Sequence, residues 1–268
     1  MIIDTHAHLY SDEFDSDRTG MIDRAKQLGI EKIFLPNVDL GTIEKMKSTV
    51  ALAPNLLFPM IGLHPCSVDQ HFQLNLEKLK TELDSDYSYF AIGETGIDLY
   101  WDQTTLDWQL EALRIQCSWA HEYNLPIILH TRNANKVVID LLEKMDRRPT
   151  RGIFHCFSGT TEEISRIDAL GDYGYGIGGV ITYRNAGLFE TVPAIPLHKL
   201  VLETDAPYLA PVPYRGKRNE SGYIRYVVEK LAQALHLSIE EIESVTTANA
   251  ERILGTDQSW SQPHTIIG

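Results

Sequence analysis

Six residues of this 268-residue chain pair metal-ligating chemistry with a common position: His6, His8, Glu94, His130, His155 and Asp205 each lie at or just past the end of a short apolar run. The runs are Ile2-Ile3-Asp4-Thr5-His6, Phe90-Ala91-Ile92-Gly93-Glu94, Ile127-Ile128-Leu129-His130, Gly152-Ile153-Phe154-His155 and Leu200-Val201-Leu202-Glu203-Thr204-Asp205. Four imidazoles and two carboxylates are costly to bury at strand ends unless a cation pairs with them. Six side chains crowd one tetrahedral ion, so the set predicts two divalent ions sharing a bridging carboxylate, with Glu94 on the middle strand placed to bridge. Imidazole ligands suit zinc, manganese, iron or nickel; magnesium, though a divalent candidate, fits four histidines less well. Asp205 could ligate one ion and also take the proton from an attacking water.

Smaller features surround this set. His64, in Gly62-Leu63-His64-Pro65, ends another apolar run and either hydrogen-bonds a substrate oxygen or is a plain loop histidine. Arg132 shares the parity of His130, which turns it to the same pocket. Asp4 and Glu203 are expected deeper, either orienting histidines or making ordinary buried hydrogen bonds. Tyr214-Arg215-Gly216-Lys217-Arg218 is the densest basic stretch, where Arg215, Lys217 and Arg218 could hold phosphate. Cys156 is expected to turn away from the pocket as a small core residue.

Positioning these side chains requires strands whose ends converge. Three further runs, Lys32 to Asn37, Phe58 to His64 and Tyr173 to Val180, bring the strand candidates to eight; the last is weakened by Gly174, Gly176, Gly178 and Gly179. Side chains two apart share a strand face, so Asp4, His6 and His8 project together, away from Ile3, Thr5 and Ala7. The same rule groups Ile92 with Glu94, Ile128 with His130, Ile153 with His155, and Val201 with Glu203 and Asp205. Helical periodicity fills the gaps over Leu106 to Tyr123, Asn135 to Met145 and Thr161 to Leu170. Two more helices, Ser221 to Leu235 and Ser238 to Leu254, close the chain, and Ser238 with Glu241 forms a capping-box pair. The run ends recur about every 25 to 36 residues. Such alternation predicts parallel strands with helical crossovers, and eight units favour an α/β fold closed as a (β/α)8 TIM barrel whose C-terminal mouth collects the ligands. No linker or composition break divides the chain, so residues 1–268 are expected to form one domain.

Composition bounds the function. Lys plus Arg number 24 against 37 Asp plus Glu, a net charge of −13, which argues against a protein gripping nucleic acid through a broad basic face. The hydrophobic fraction of 43% supports a sizeable core. Three scattered cysteines suit reduced thiols, polar residues from position four leave no room for a cleavable signal peptide, and no apolar run approaches a membrane span. A cytoplasmic location with no membrane association and no stable protein partner is therefore expected.

Several segments together resemble the TatD family of metal-dependent hydrolases, within the amidohydrolase-like barrels. They are Asp4-Thr5-His6-Ala7-His8, Gly62-Leu63-His64-Pro65, Gly93-Glu94-Thr95-Gly96-Ile97-Asp98 and Leu125-Pro126-Ile127-Ile128-Leu129-His130-Thr131-Arg132. The series continues with Phe154-His155-Cys156-Phe157-Ser158-Gly159, Leu202-Glu203-Thr204-Asp205-Ala206-Pro207-Tyr208-Leu209 and Tyr214-Arg215-Gly216-Lys217-Arg218-Asn219-Glu220. The likeness runs in order to about residue 255, followed by a short C-terminal tail. It implies one metal held by His6, His8, Glu94 and Asp205 and another by Glu94, His130 and His155. It also implies phosphodiester hydrolysis by a deoxyribonuclease, including 3′-to-5′ exonuclease action on single-stranded DNA ends. Asn133, where the family often has an acidic residue, and Ser221-Gly222, where a proline often follows Asn219-Glu220, depart from that pattern near the rim.

Two other readings of the residues stay open: a binuclear amidohydrolase or deacylase acting on a small amide or ester, and a metal-binding scaffold without turnover. In the nuclease reading Glu94 and Asp205 are catalytic, and two divalent ions would reduce the net charge from −13 to −9. Attraction for phosphate is then local, which predicts weak, end-directed engagement of a short flexible strand.

Overall fold

The computed structural model describes residues 1–256, so the short C-terminal tail lies outside the described residues from 257 on. Eight strands run through it: β1 (Ile2–Asp4), β2 (Ile30–Leu35), β3 (Leu57–Pro59), β4 (Ile92–Asp98), β5 (Ile127–Arg132), β6 (Arg151–Phe154), β7 (Asp172–Ile177) and β8 (Leu200–Leu202). The helices are α1 (Arg18–Gln27), α2 (Ile43–Leu52), α3 (Phe72–Leu83), α4 (Leu106–Glu122), α5 (Asn135–Lys144), α6 (Thr161–Leu170), the single turn α7 (Leu188–Thr191), α8 (Ile224–Leu235) and α9 (Ile239–Leu254). All pairings are parallel, in the orders β1-β2-β3 and β4-β5-β6-β7-β8. Parallel bridges join the two sheets at both seams, Ala7 with Ala206 and Ile61 with Ile92. The Thr5 amide also donates to the Leu202 carbonyl at 2.9 Å, and the Asp205 amide to that of His6 at 2.9 Å. The strands thus follow one another round an α/β TIM barrel.

Two layers of apolar packing explain why the strands read as nearly continuous hydrophobic runs. Outward residues such as Ile33, Leu35, Ile127, Leu129, Tyr173 and Tyr175 pack under the helices in the larger cluster. Ile3, Phe34, Met60, Ala91, Ile128, Ile153 and Val201 meet inside with Ala250, Ile253 and Leu254 of α9. α9 therefore plugs the barrel at the N-terminal ends of its strands. It is tied there by Thr247, whose hydroxyl donates to the Met1 carbonyl at 2.9 Å, and by Asn249, whose amide reaches the Leu200 carbonyl at 2.9 Å. With the floor sealed, polar groups at the opposite mouth have the interior to themselves.

The helical expectations meet the structure closely. Thr161–Leu170 is as read, and Ser238 caps α9 with Glu241 in the reciprocal arrangement. Ser221–Tyr223 is instead a 3-10 turn leading into α8, a common way for a helix to begin. Two parity expectations fail. Ile3 lies in the inner cluster rather than under the helices, because the register shifts at Ile2/Ile3 and the strand ends at Asp4. Ile92 is outward and Ala91 inward, and a register shift between Ile92 and Thr95 intervenes before Glu94. The third strand is also shorter than read, ending at Pro59, with Ile61 touching β4 only through a bridge. Among the described residues, no helix is long and apolar enough to cross a membrane.

Candidate metal centre

The segment after β1 continues extended against the chain that leaves β8, because the His8 amide donates to the Ala206 carbonyl at 2.7 Å. This brings His6 and His8 beside Asp205, whose backbone takes φ +54° just beyond β8. Glu94 arrives from β4, His130 from β5, and His155 from the turn directly after β6. The six meet around the Glu94 carboxylate, which is only 2% exposed.

Its two oxygens face different partners. Oε2 lies 3.1 Å from His6 Nε2 and 3.4 Å from His8 Nε2, and these nitrogens are in turn 3.7 and 3.5 Å from Asp205 Oδ1. Oε1 lies 2.9 Å from His130 Nδ1, 3.2 Å from His155 Nε2 and 3.4 Å from His64 Nε2. Three groups have ligand atoms close enough to share one ion: His6, His8 and Asp205; His64, Glu94 and His130; and His6, His155 and Glu203.

The far side of each ring decides which nitrogen is available. Tyr10 donates its hydroxyl proton to the Pro36 carbonyl at 2.7 Å, so it accepts from His8 Nδ1 at 3.0 Å and leaves Nε2 with a lone pair. His155 Nδ1 donates to Glu203 Oε1 at 3.2 Å, which likewise leaves Nε2 bare. His130 is turned end for end. Its Nε2 donates to Asp98 Oδ2 at 2.9 Å, so Nδ1 carries the lone pair toward Glu94. His64 is the exception, since its Nδ1 accepts the Cys66 amide at 3.0 Å. The neutral ring must then carry its proton on Nε2, which makes His64 a hydrogen-bond donor to the centre.

Electrostatics follow from this packing. Burial alone would raise the Glu94 carboxyl, but the imidazoles of His6, His64, His155 and His130 hold it well below the usual carboxylate range. Asp205 is lowered in the same way, burial being outweighed by the neighbouring His8, His155 and His6 rings. His8 and His155 are raised despite burial, His8 by Tyr10, Asp205 and Glu94, and His155 by Glu203 and Glu94. Burial pushes His6 and His64 down. Among the described residues, the ion-pair partners of Glu94 and Asp205 are all histidines, with no Lys or Arg.

A family model described as TatD related DNase matches residues 3–255. The chain belongs to the TatD family. It is 38% identical over 254 residues to the uncharacterized metal-dependent hydrolase YabD of Bacillus subtilis, covering 94% of this chain and 98% of that one. It is 30% identical over 260 residues to the 3′-5′ ssDNA/RNA exonuclease TatD of Escherichia fergusonii, covering 95% and 99%. The crystal structure of YJJV, a TatD homolog from Escherichia coli K12, superposes with a TM-score of 0.87 at 30% identity, over 94% of this chain and 97% of that one. This TatD-family chain is thus a metal-dependent hydrolase, and its His, Glu and Asp clusters suit divalent metal.

The centre opens into a cavity of about 1470 Å³, whose walls include His8, His64, Glu94, Trp101, His130, Arg132, His155, Asp205 and Tyr208. Arg132 lines it, as parity predicted. The basic stretch does not. Arg215, Lys217 and Arg218 lie outside the cavity walls. Arg218 forks onto Asp17 at 2.6 and 2.8 Å and donates to the Glu13 carbonyl, while Arg215 lies over the Tyr183 ring. The loop is carried aside by Tyr214, which stacks on Tyr223 with ring centroids 4.1 Å apart. Cys156 also departs from expectation. It lines the cavity because its backbone takes φ +47°, and burial pushes its thiol up to about 12, so it stays protonated.

Asp4 accepts the Thr204 amide and hydroxyl at 3.0 and 2.7 Å and the His6 amide at 3.3 Å. It therefore braces the His6 backbone rather than a ring. Tyr10 and Asp98 were assigned no role from the sequence, although Asp98 lies at even spacing from Glu94 on one strand face. The Tyr10 partnership had no signal, because it depends on a carbonyl in another strand's loop.

Proposed function

We propose that this protein hydrolyses phosphodiester bonds in single-stranded nucleic acid, working from the 3′ end, with two divalent ions. The observation that carries this reading is the division of ligands between the two oxygens of Glu94. One set is His6, His8, Glu94 and Asp205; the other is Glu94, His130 and His155. Zinc, manganese, nickel or magnesium would fill them, with the imidazole content favouring the first three. The 30% identical exonuclease of Escherichia fergusonii supports nucleic acid as the substrate, and the three free cysteines fit work in a reducing cytoplasm. The whole chain acts as one domain in this reading.

When bound by these residues, the ions would supply Lewis-acid charge to polarise the phosphoryl group and ease loss of a proton from water. Asp205, 14% exposed at the cavity and held ionised, accepts that proton. As the oxygen of water bonds to phosphorus and the ester oxygen leaves, Asp205 returns the proton to the leaving oxygen. His64 Nε2–H donates to a non-bridging oxygen, which gains charge in the transition state. Arg132 supplies positive charge within the cavity; Arg215 and Lys217 can act only on strand that has left it. With a net charge of −13, the surface offers a long duplex no broad attraction.

Metal stoichiometry by mass spectrometry, followed by parallel assays on labelled single-stranded DNA, duplex DNA, RNA and small esters, tests the reading. Two ions per chain and shortening of single strands from the 3′ end are expected. Full metal loading with turnover of amides or carboxylic esters alone would replace it with the amidohydrolase reading.

A further inference from the structure

Trp101 is 69% exposed, the largest exposure among the large hydrophobic side chains of the described residues, and it stands on the wall of the cavity. It does not sit on a loose loop. The Tyr100 and Trp101 amides both donate to Asp98 Oδ1, at 2.8 and 3.0 Å, and the other oxygen of that carboxylate holds His130. The buried Gln109 side chain donates to the Asp98 and Asp102 carbonyls at 3.2 and 3.4 Å, pinning the turn from below. Two hydrogen bonds thus link the Trp101 backbone to the His130 ring, which faces Glu94.

The neighbours complete a surface. Tyr100, 54% exposed, meets Trp101 edge to face with ring centroids 4.9 Å apart. The Arg132 guanidinium lies 3.8 Å from the Tyr100 ring centre and 5.4 Å from that of Trp101. Among the described residues Arg132 has no carboxylate partner, so its charge remains available to a ligand. A rigid exposed indole beside an unpaired guanidinium matches the two faces of a nucleotide: a base stacks on the aromatic ring and its phosphate meets the cation. The cavity is lined by two cations, Lys45 and Arg132; Lys45 is paired with Asp12, which leaves Arg132 as the one without a carboxylate partner among the described residues.

We propose that Trp101, braced by Tyr100 and Arg132, is a stacking platform for the unpaired 3′-terminal base of the strand whose phosphate lies at the metal centre. The inference rests on the nucleic-acid reading above and deepens it. The 3′-terminal base of a duplex is paired to the other strand and stacked on one face, so it must give up that pairing and stacking to turn onto the platform. The preference for single strands then belongs to this wall rather than to the ions.

Two measurements test it. KM is compared for an oligonucleotide bearing its 3′-terminal base and for one abasic at that position, in the wild type, Trp101→Phe and Trp101→Ala. Stacking predicts a KM about 5- to 100-fold lower for the base-bearing strand in the wild type. That ratio should largely persist in Trp101→Phe and approach one in Trp101→Ala. Separately, metal-loaded Asp205→Asn is titrated against an oligonucleotide ending in 2-aminopurine, whose fluorescence should be quenched with Trp101 present and not in the Asp205→Asn, Trp101→Ala double variant. Cleavage with a ratio independent of Trp101 would overturn the platform and leave the functional reading standing. Quenching through Trp101 by a protein whose wild type cleaves no oligonucleotide would do the reverse. Neither cleavage nor quenching would remove both.

Discussion

Alanine at position 176 would place its methyl group inside the contact distance of Glu203 Oε2, 2.8 Å from Glu203 Cδ and 3.2 Å from the His155 Cα. At a surface the carboxylate would swing aside at little cost. Here it is fully buried, and its other oxygen accepts the Cys156 amide at 2.7 Å and His155 Nδ1 at 3.2 Å. Over-packing a core position costs about 1–3 kcal/mol. Pulling the carboxylate off a buried amide adds about 1–3 kcal/mol for the donor left unpaired. Gly176→Ala should therefore destabilise the fold by about 2–6 kcal/mol, much of the roughly 5–15 kcal/mol available to a typical domain. At a urea m-value of about 3 kcal/mol/M the unfolding midpoint falls by about 0.7–2 M. His155 loses the partner that fixes its tautomer, so metal affinity should drop about 10- to 100-fold in a chelator competition. Adding Glu203→Ala removes the clash, so the double variant should be no less stable than Gly176→Ala alone while still binding metal poorly. An unchanged midpoint and unchanged metal affinity in Gly176→Ala would refute the claim that Glu203 is pinned.

Three further outcomes follow from the same geometry. Asp98→Ala frees His130 Nε2 and should weaken metal binding about 10- to 100-fold; an unchanged chelator competition would mean that His130 is oriented by something else. Asp205→Asn should lower kcat about 10²- to 10⁴-fold, the usual contribution of a general base, and near-normal turnover would remove Asp205 from that role. Arg218, then Arg24, hold the Asp17 carboxyl at about 2 against an ordinary 3.8. Its contribution to stability is therefore full above pH 3.8 and is lost as pH falls through about 2. Because Asp17 is one-third exposed, water screens the pair to below about 1 kcal/mol. Urea midpoints across that window should fall less steeply with acid in Asp17→Asn than in the wild type, and parallel curves would show that the pair contributes nothing.

Composition and spacing alone carried the alternation of strands and helices, the six donors at or past strand ends and the parity of His130 with Ile128 inside β5. These are local properties: a strand turns every second side chain to one face, and a run buried on both faces must be apolar throughout. Parity grouped His6, His8, Glu94, His155 and Asp205 at one mouth, but the structure brings them there by other means: β1 ends at Asp4, β6 at Phe154 and β8 at Leu202, and the register of β4 shifts between Ile92 and Thr95. Irregularities of that kind are set by the neighbouring strand and leave no trace in spacing. The glycines of β7, read as weakening a strand, are its inner face: Gly174 makes room for Ile253 of α9 and Gly176 for Glu203. Only the tertiary structure could show this, because the residues that need the space are distant in sequence. The same holds for charge. Arg215, Lys217 and Arg218 are adjacent along the chain, yet Arg218 is held by Asp17 and none lines the cavity, whereas Arg132 stands inside it without a carboxylate partner among the described residues. A sequence counts charges, but which of them remain free for a ligand depends on the partners that folding brings within reach.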